Sequence, residues 1–292
     1  MVLIENLVDT VANKPISPKA GESAEGKGMC GSRRCVIKTL WIGQELSVLE
    51  QLSLRSFLSC GHTVELFVYQ NVKNVPSGVR LRDAGEILDE SLVFRHKRGG
   101  GVSGFANWFR YVLLLQEGGM WVDTDVICLK PFDFQQRLVF GRQDTYMINN
   151  AVLGGQPGEE LFRIMARQAE SPNTRLPYDD IKERRIKWIR KYLQRNRRNN
   201  IKRGENGPRG ITKAINFLGL QQLALPYTAF YPIHPKCWDA IFDSTYRDVE
   251  KFFPESYAIH LWNEMICNGS GIDKNATFAA PSLIEALKSR YL

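Results

Sequence analysis

The chain has no uninterrupted apolar run approaching the roughly 18 residues that a membrane span requires. Its opening, MVLIENLVDTVANK, lacks both the basic leader and the apolar core of a secretory signal. Insertion and export by those routes are not expected, and the cytoplasm is the default compartment. Clustered cysteine is scarce too. Of Cys30, Cys35, Cys60, Cys128, Cys237 and Cys267, only the first two lie close together, with no second pair or His cluster to match them. That argues against a structural zinc site and for free thiols. The sequons at Asn268 and Asn275 carry little weight without an export signal. No internal repeat is visible, and a basic excess is missing from most of the chain. Lys182 to Arg203 holds eleven Lys or Arg against one acid, Glu183, which exceeds the whole net charge of +8 and leaves the remainder slightly acidic. The high pI therefore describes one segment and does not make the body of the protein a nucleic-acid binder.

What is present is the composition of a folded protein: 43% hydrophobic and 11% aromatic in 292 residues, enough for a full core. Residues 13–34, rich in Gly, Ser, Pro, Lys and Glu, cannot repay the entropy of ordering, so residues 1–34 are expected to be a disordered leader and 35–292 a single domain. CVIKTLWIG (35–43) predicts a strand, ELSVLEQLSLRSFLSC a helix stopped at Gly61, and HTVELFVY (62–69) a second strand. This β-α-β opening makes the two strands parallel and the fold class α/β. SGFANWFRYVLLLQEGG (103–119) reads as a buried helix ended by Gly118 and Gly119. Asn107 and Arg110 share one face of it, which is costly unless they meet partners or a ligand. An Arg satisfied by a neighbouring acid in the core is the alternative.

GGMWVDTDV (118–126) then brings Asp123 and Asp125 to the end of a short apolar strand. Residues i and i+2 of an extended strand point the same way, and open α/β sheets bind ligands at the carboxyl ends of their strands. Two such carboxylates suit Mg²⁺ or Mn²⁺ with substrate oxygens. A solvated acidic turn is the competing reading of the pair alone.

The flanking residues resemble a known family, the nucleotide-sugar-dependent glycosyltransferases with a DXD motif and the GT-A fold, which include mannosyltransferase-like, α-1,4-glycosyltransferase-like and capsular polysaccharide synthesis proteins. Their helix with Ser-Asp-x-x-Arg-Tyr, Gly-Gly turn, aromatic and Asp-x-Asp is matched in order by ANWFRYVLLLQEGGMWVDTDV. KTLWIG, INNAVLGG, GPRGITKAI and AIHLWNE extend the likeness over roughly residues 36 to 265. The resemblance implies a GT-A fold with a largely helical C-terminal part. It implies a retaining hexosyltransferase that uses a nucleotide sugar, UDP-linked by expectation, with Mn²⁺ or Mg²⁺, and a glycan or lipid-linked acceptor in surface polysaccharide or glycoconjugate synthesis. By the same resemblance Asp125, Asp123 and His260 are metal ligands, and Arg110 is the cationic anchor for the donor. Leu40, Trp41, Asn107, Trp121, Asn150, His260 and Trp262 line the donor, with Trp41 stacking on the base; a core role for Trp41 or His260 is the alternative. Asn107 replaces the family's usual Asp, and Trp121 its common Tyr. No further carboxylate stands out as a nucleophile. A metal-dependent nuclease or phosphatase and a polyanion-binding protein are the rival classes, and the first would need three or more converging acids.

The segment DDIKERRIKWIRKYLQRNRRNNIKR is a basic helical insertion (179–206) with Ile181, Trp188, Ile189 and Tyr192 near one side. It is read as a solvated helix, a contact to an anionic membrane surface such as the inner leaflet, or a grip on a polyanion.

Overall fold

Apolar and β-branched residues at Val36–Trp41 form β1, and the helix α1 (Val48–Ser59) leads to β2 (Thr63–Val68), which pairs parallel with β1. This is the β-α-β unit expected from sequence, with Gly61 at φ 79° just past the helix. The computed structural model describes residues 35–97, 100–202, 204–269, 271–278 and 281–292; the predicted leader (1–34), Gly99 and Arg203 lie outside the described residues. β3 (Arg80–Asp83) adds to β2, and α2 (Ser103–Glu117) crosses back to β4 (Gly119–Val122), parallel to β1. After the short β5 (Val126–Cys128), β6 (Leu138–Arg142) and β7 (Ile148–Gly155) complete a six-stranded sheet in the order β3-β2-β1-β4-β7-β6. β7 is antiparallel to β4 and β6. The parallel core with an antiparallel flank agrees with the expected α/β fold of GT-A type.

Both faces of this sheet are covered, and the strand period decides which side chain goes where. Ile37, Val64, Leu66, Met120 and Val122 point into one core with Phe57 of α1. Leu40, Phe67, Trp121 and Leu153 point into the other, against Phe105 and Phe109 of α2 and Phe162 of α3 (Glu160–Glu170). α2 stops where Gly118 and Gly119 take φ of 61° and 95°. A Cβ on Gly118 would sit 2.7 Å from the Pro157 ring and 2.8 Å from the Gly155 carbonyl, so this turn is closed to other residues.

The C-terminal half is largely helical: α4 (Ile181–Tyr192), α5 (Pro208–Phe217), several shorter helical turns and α6 (Leu283–Tyr291). It returns one strand, β8 (Ala258–His260), which pairs antiparallel with β5 as a separate two-stranded sheet. A third apolar cluster, including Leu49, Leu52, Ile127, Ile259 and Leu287, packs this sheet against α1 and α6. Among the described residues, Cys35, Cys60, Cys128 and Cys237 are outside any disulfide, and no helix is long and apolar enough to cross a membrane.

Candidate active site at the strand edge

The register Lys38↔Trp121 makes β1 and β4 run out at the same edge of the sheet, at Trp41 and Val122. The Asp123 amide donates to the Ala151 carbonyl at 2.8 Å, a last rung toward β7. There the strand ends. Val126 N–H donates back to the Asp123 carbonyl at 3.1 Å, so residues 123–126 form a turn. The strand alternation expected to align Asp123 and Asp125 is therefore not the device that brings them together. The turn does so, and it is not a solvated one, because Asp125 is only 8% exposed.

Asp125 is fixed by the strand that returns from the C-terminal half. Its carbonyl accepts the Leu261 amide at 2.9 Å, its Oδ2 accepts the Asn263 amide at 2.8 Å, and its Oδ1 lies 3.2 Å from Nε2 of His260. Trp262, between those two amides, takes φ of 58°, a left-handed conformation costly for a bulky side chain. The reversal lets both neighbouring amides reach Asp125. Asp123, Asp125 and His260 each offer one ligand atom, all within 4.8 Å of one another.

Asp123 is held from behind by α2. Its Oδ1 accepts from Nη2 of Arg110 and, at 2.8 Å, from the indole N–H of Trp121. The guanidinium also lies 4.8 Å from the Trp121 ring centre. Nη1 of Arg110 donates to Asn107 Oδ1 at 2.9 Å, which also accepts from Asn150 Nδ2 at 2.8 Å. Asn150 donates a second time to the Tyr111 hydroxyl at 2.8 Å, Tyr111 donates to the Asn206 carbonyl at 3.0 Å, and Asn107 Nδ2 donates to Asn206 Oδ1 at 3.3 Å. Asn107, Arg110, Asn150 and Asn206 are all buried, whereas the Asp123 side chain keeps 32% of its surface. Asp123 is thus the exposed tip of a buried polar network.

The two carboxylates are driven apart in acidity. Desolvation pushes Asp123 above the ordinary carboxylate range against the pull of Arg110, and the charge of Asp125 adds to the rise. Burial would raise Asp125 as well, but His260 and the Asn263 amide hold it below that range. Close carboxylates that repel each other, beside an imidazole whose buried Nδ1 has no hydrogen-bond partner among the described residues, are a donor set that a divalent cation would satisfy.

The other expected donor residues divide. Trp41 stands at the shared strand edge, half-buried, with its indole N–H unpartnered among the described residues and Lys274 Nζ 5.6 Å over its ring. Leu40 is buried in the apolar cluster beneath α2. Trp262 spends its N–H on the Ile233 carbonyl at 2.8 Å and stacks edge-on against His260 with centroids 4.1 Å apart, so it buttresses the imidazole. Sequence reasoning missed three participants. Tyr111 stood inside the quoted motif but was read as core. Asn206 and the Asn263 amide had no local signal, since an Asn in a loop and a backbone N–H look alike in any sequence.

Comparison with known proteins reaches the same two halves of the site. The family model "Glycosyltransferase sugar-binding region containing DXD motif" matches residues 102–146, and "Alpha 1,4-glycosyltransferase conserved region" matches 191–286. The first span holds Asp123 and Asp125, the second His260. Lactosylceramide 4-alpha-galactosyltransferase of Pongo pygmaeus is 27% identical over 194 residues, 62% of this chain and 75% of that sequence. The Homo sapiens protein of that name is 26% identical over the same share of this chain and 46% of its own length. Alpha-1,4-N-acetylglucosaminyltransferase of Homo sapiens is 23% identical over 69% of this chain and 56% of its length. The matched region thus spans only about half the length of several of these relatives. Among solved structures, PaToxG Glycosyltransferase overlaps 98% of this chain and 90% of its own at TM-score 0.41 and 11% identity. The glycosyltransferase GlyE of Streptococcus pneumoniae TIGR4 overlaps 90% and 61% at TM-score 0.37 and 13% identity.

Proposed function

We propose that this chain, which belongs to the glycosyltransferases with a DXD-containing sugar-binding region, transfers a hexosyl group from a nucleotide-sugar donor to a glycan or lipid-linked acceptor. The observation that carries the reading is the convergence of Asp123, Asp125 and His260 at one strand edge, with Asp123 the partly exposed member. In this reading those three residues hold Mn²⁺ or Mg²⁺, which when bound neutralises charge on the departing nucleoside diphosphate.

The protein's own part is to keep the ligands in place. Arg110 is too enclosed to be a direct anchor for the donor, and its two terminal nitrogens donate to Asn107 and Asp123. It acts as a positioning residue that opposes the desolvation of Asp123 and aims its carboxylate outward, and the Trp121 N–H shares that task. Trp41, at the neighbouring strand end, offers its half-buried ring as the aromatic platform for the base. Asn107 and Asn150 tune the site from behind.

The activities for which the relatives are named make a galactose-type or N-acetylglucosamine-type donor and an α-1,4 linkage the first to try, and a glycolipid such as lactosylceramide the first acceptor. The nuclease or phosphatase alternative is less well served, because the described residues offer one group of metal-ligating side chains where paired ions need more acids. The reading is tested by thermal shift with UDP-galactose and UDP-N-acetylglucosamine, each with and without Mn²⁺. Stabilisation should require both sugar nucleotide and metal and vanish in Asp125→Asn. Equal stabilisation of that variant would overturn it.

A further inference from the structure

The basic insertion forms a helix whose two faces treat charge in opposite ways. Asp180 caps α4 by accepting the Glu183 amide at 2.7 Å, and Glu183 reaches back to the Asp180 amide at 3.1 Å. Facing the protein, Lys187 and Arg190 are buried at 6% exposure each, although they belong to the cationic run. Lys187 pairs with Asp179 at 2.8 Å, Arg190 pairs with Glu205 at 2.7 Å, and Glu183 pairs with Lys213 of α5. The Glu183–Lys213 pair ties the helix to α5, and the other two pairs tie it to the segments that flank it within the insertion.

The outer face is the reverse. Ile181, Arg185, Trp188 and Tyr192 fall at spacings of four, three and four residues, so they form one stripe. Ile181 is 85% exposed, Trp188 54%, Tyr192 63% and the adjoining Leu193 68%. Lys182, Arg185, Lys191, Arg195, Arg197 and Lys202 are exposed around them, and none is ion-paired among the described residues. At the C-terminal end of the helix, on the side of the inward-facing Arg190, lies a hollow of about 1010 Å³, lined also by Leu193, His96, Lys97, Arg195, Arg197 and Lys202 among others, with no acid among its described lining residues.

We propose that this face, the outer stripe of α4 with the unpaired cations around it, docks the protein on an anionic phospholipid surface. The charge balance selects that partner. A second copy of the chain would press unpaired cations against unpaired cations. A nucleic acid would satisfy the cations but leave Ile181 and Leu193 without an apolar medium. A bilayer interface accepts both: Trp188 and Tyr192 sit at headgroup depth, and the Lys and Arg stems snorkel so that their charges meet phosphate-bearing headgroups. The inference goes beyond sugar transfer and would stand if the transfer reading failed. Glu205, which anchors the helix through Arg190, is followed by Asn206, which enters the Asn107 network, so docking would set the distance of the strand edge from the surface.

The test is co-sedimentation of the full chain with vesicles of phosphatidylcholine alone or mixed with phosphatidylserine. Binding should require the anionic lipid and weaken as salt is raised. Lys191→Gln with Arg195→Gln should lower the partition coefficient about thirtyfold, at roughly 1 kcal/mol for each cation near the surface. Trp188→Ser with Tyr192→Ser should lower it at least about tenfold, from the apolar area withheld. A charge-matched control, Arg55→Gln with Lys251→Gln, should leave it nearly unchanged, and circular dichroism should show all variants folded. The proposal is overturned by absent or lipid-independent binding, by a control that loses as much as the first pair, or by tight heparin or RNA binding without vesicle binding.

Discussion

Arg110 and Arg190 are both hidden, at 2% and 6% exposure, and both are spent on a carboxylate, yet they stand in different settings. Around Arg110 the polar groups are neutral, interlocked and buried, and one carboxylate oxygen is delivered toward solvent. Around Arg190 the pair clamps a helix, and the cations beyond it face outward without partners. The contrast separates two uses of charge: at the strand edge pairing prepares a site, whereas on α4 it fixes a platform whose unpaired charges do the recognising.

The largest effect that could break this contrast is expected at Asp125→Asn. If the strand edge is a prepared metal site, transfer should fall by at least about 10²–10³-fold, comparable to losing a principal stabiliser of developing charge. The amide can still accept from the Asn263 N–H, so the melting temperature should move little. Activity assays with Mn²⁺, alongside calorimetry, check both halves; a large melting shift with unchanged turnover would make Asp125 a structural residue only.

Trp121→Phe is expected to come next. It removes the N–H donor to Asp123 while keeping an aromatic ring against Arg110, so it acts on the aim of a carboxylate already held by one other donor. By analogy with partners that orient metal ligands, metal affinity should drop about 10- to 100-fold, measured by Mn²⁺ titration with a paramagnetic or calorimetric readout. Stability should fall by about 2–3 kcal/mol, because a wholly buried ring shrinks and one hydrogen bond is lost. A metal affinity equal to that of the wild type would show that Arg110 alone positions Asp123.

How much of this was legible in the sequence follows the range of the forces. The β-α-β opening, the α2 helix and its glycine stop were readable because periodicity and backbone freedom are local. Asp123, Asp125 and His260 were readable as a set only through the family resemblance, because nothing in AIHLWNE announces that β8 pairs with β5. The exposure pattern of α4 was only half readable. An amphipathic pattern shows which residues share a side, but not that Lys187 and Arg190 would turn inward to Asp179 and Glu205. Those acids lie outside the helix itself, so the pairing is tertiary. The strand argument for Asp123 and Asp125 failed for a related reason: the hydrogen bond from Val126 to the Asp123 carbonyl closes a turn that period-two reasoning cannot see.

Arg190→Gln asks whether the two regions are independent. It leaves Glu205 without its cation near the buried Asn206. Breaking a buried pair costs about 3–5 kcal/mol, and the partial exposure of Glu205 at 24% reduces that to about 1–2 kcal/mol, read as a fall in melting temperature. If the platform is only mechanical, the KM for donor should hold steady. A raised donor KM at an unchanged kcat would mean that α4 reaches the strand edge through Asn206, and the separation of roles would have to be given up.

The finest test is Asn107→Asp, which puts a carboxylate where the resemblance leads one to expect an aspartate. Asn107 uses both ends of its amide here: Oδ1 accepts from Arg110 and Asn150, and Nδ2 donates to Asn206 Oδ1. A carboxylate keeps the first two contacts and strengthens the one to Arg110, but it cannot donate, so two acceptor oxygens face each other unless Asn206 rotates. Rotation would give up its own donation to the Gly104 carbonyl at 3.0 Å. Either way about one hydrogen bond is lost, worth about 1 kcal/mol, while Arg110 gains a second carboxylate and its hold on Asp123 weakens. The expected result is a small loss of stability with a several-fold change in the ratio of kcat/KM between the galactose and N-acetylglucosamine donors. An unchanged ratio would place donor choice at the exposed edge, with Trp41 and Asp123, and leave Asn107 to the internal wiring of the site.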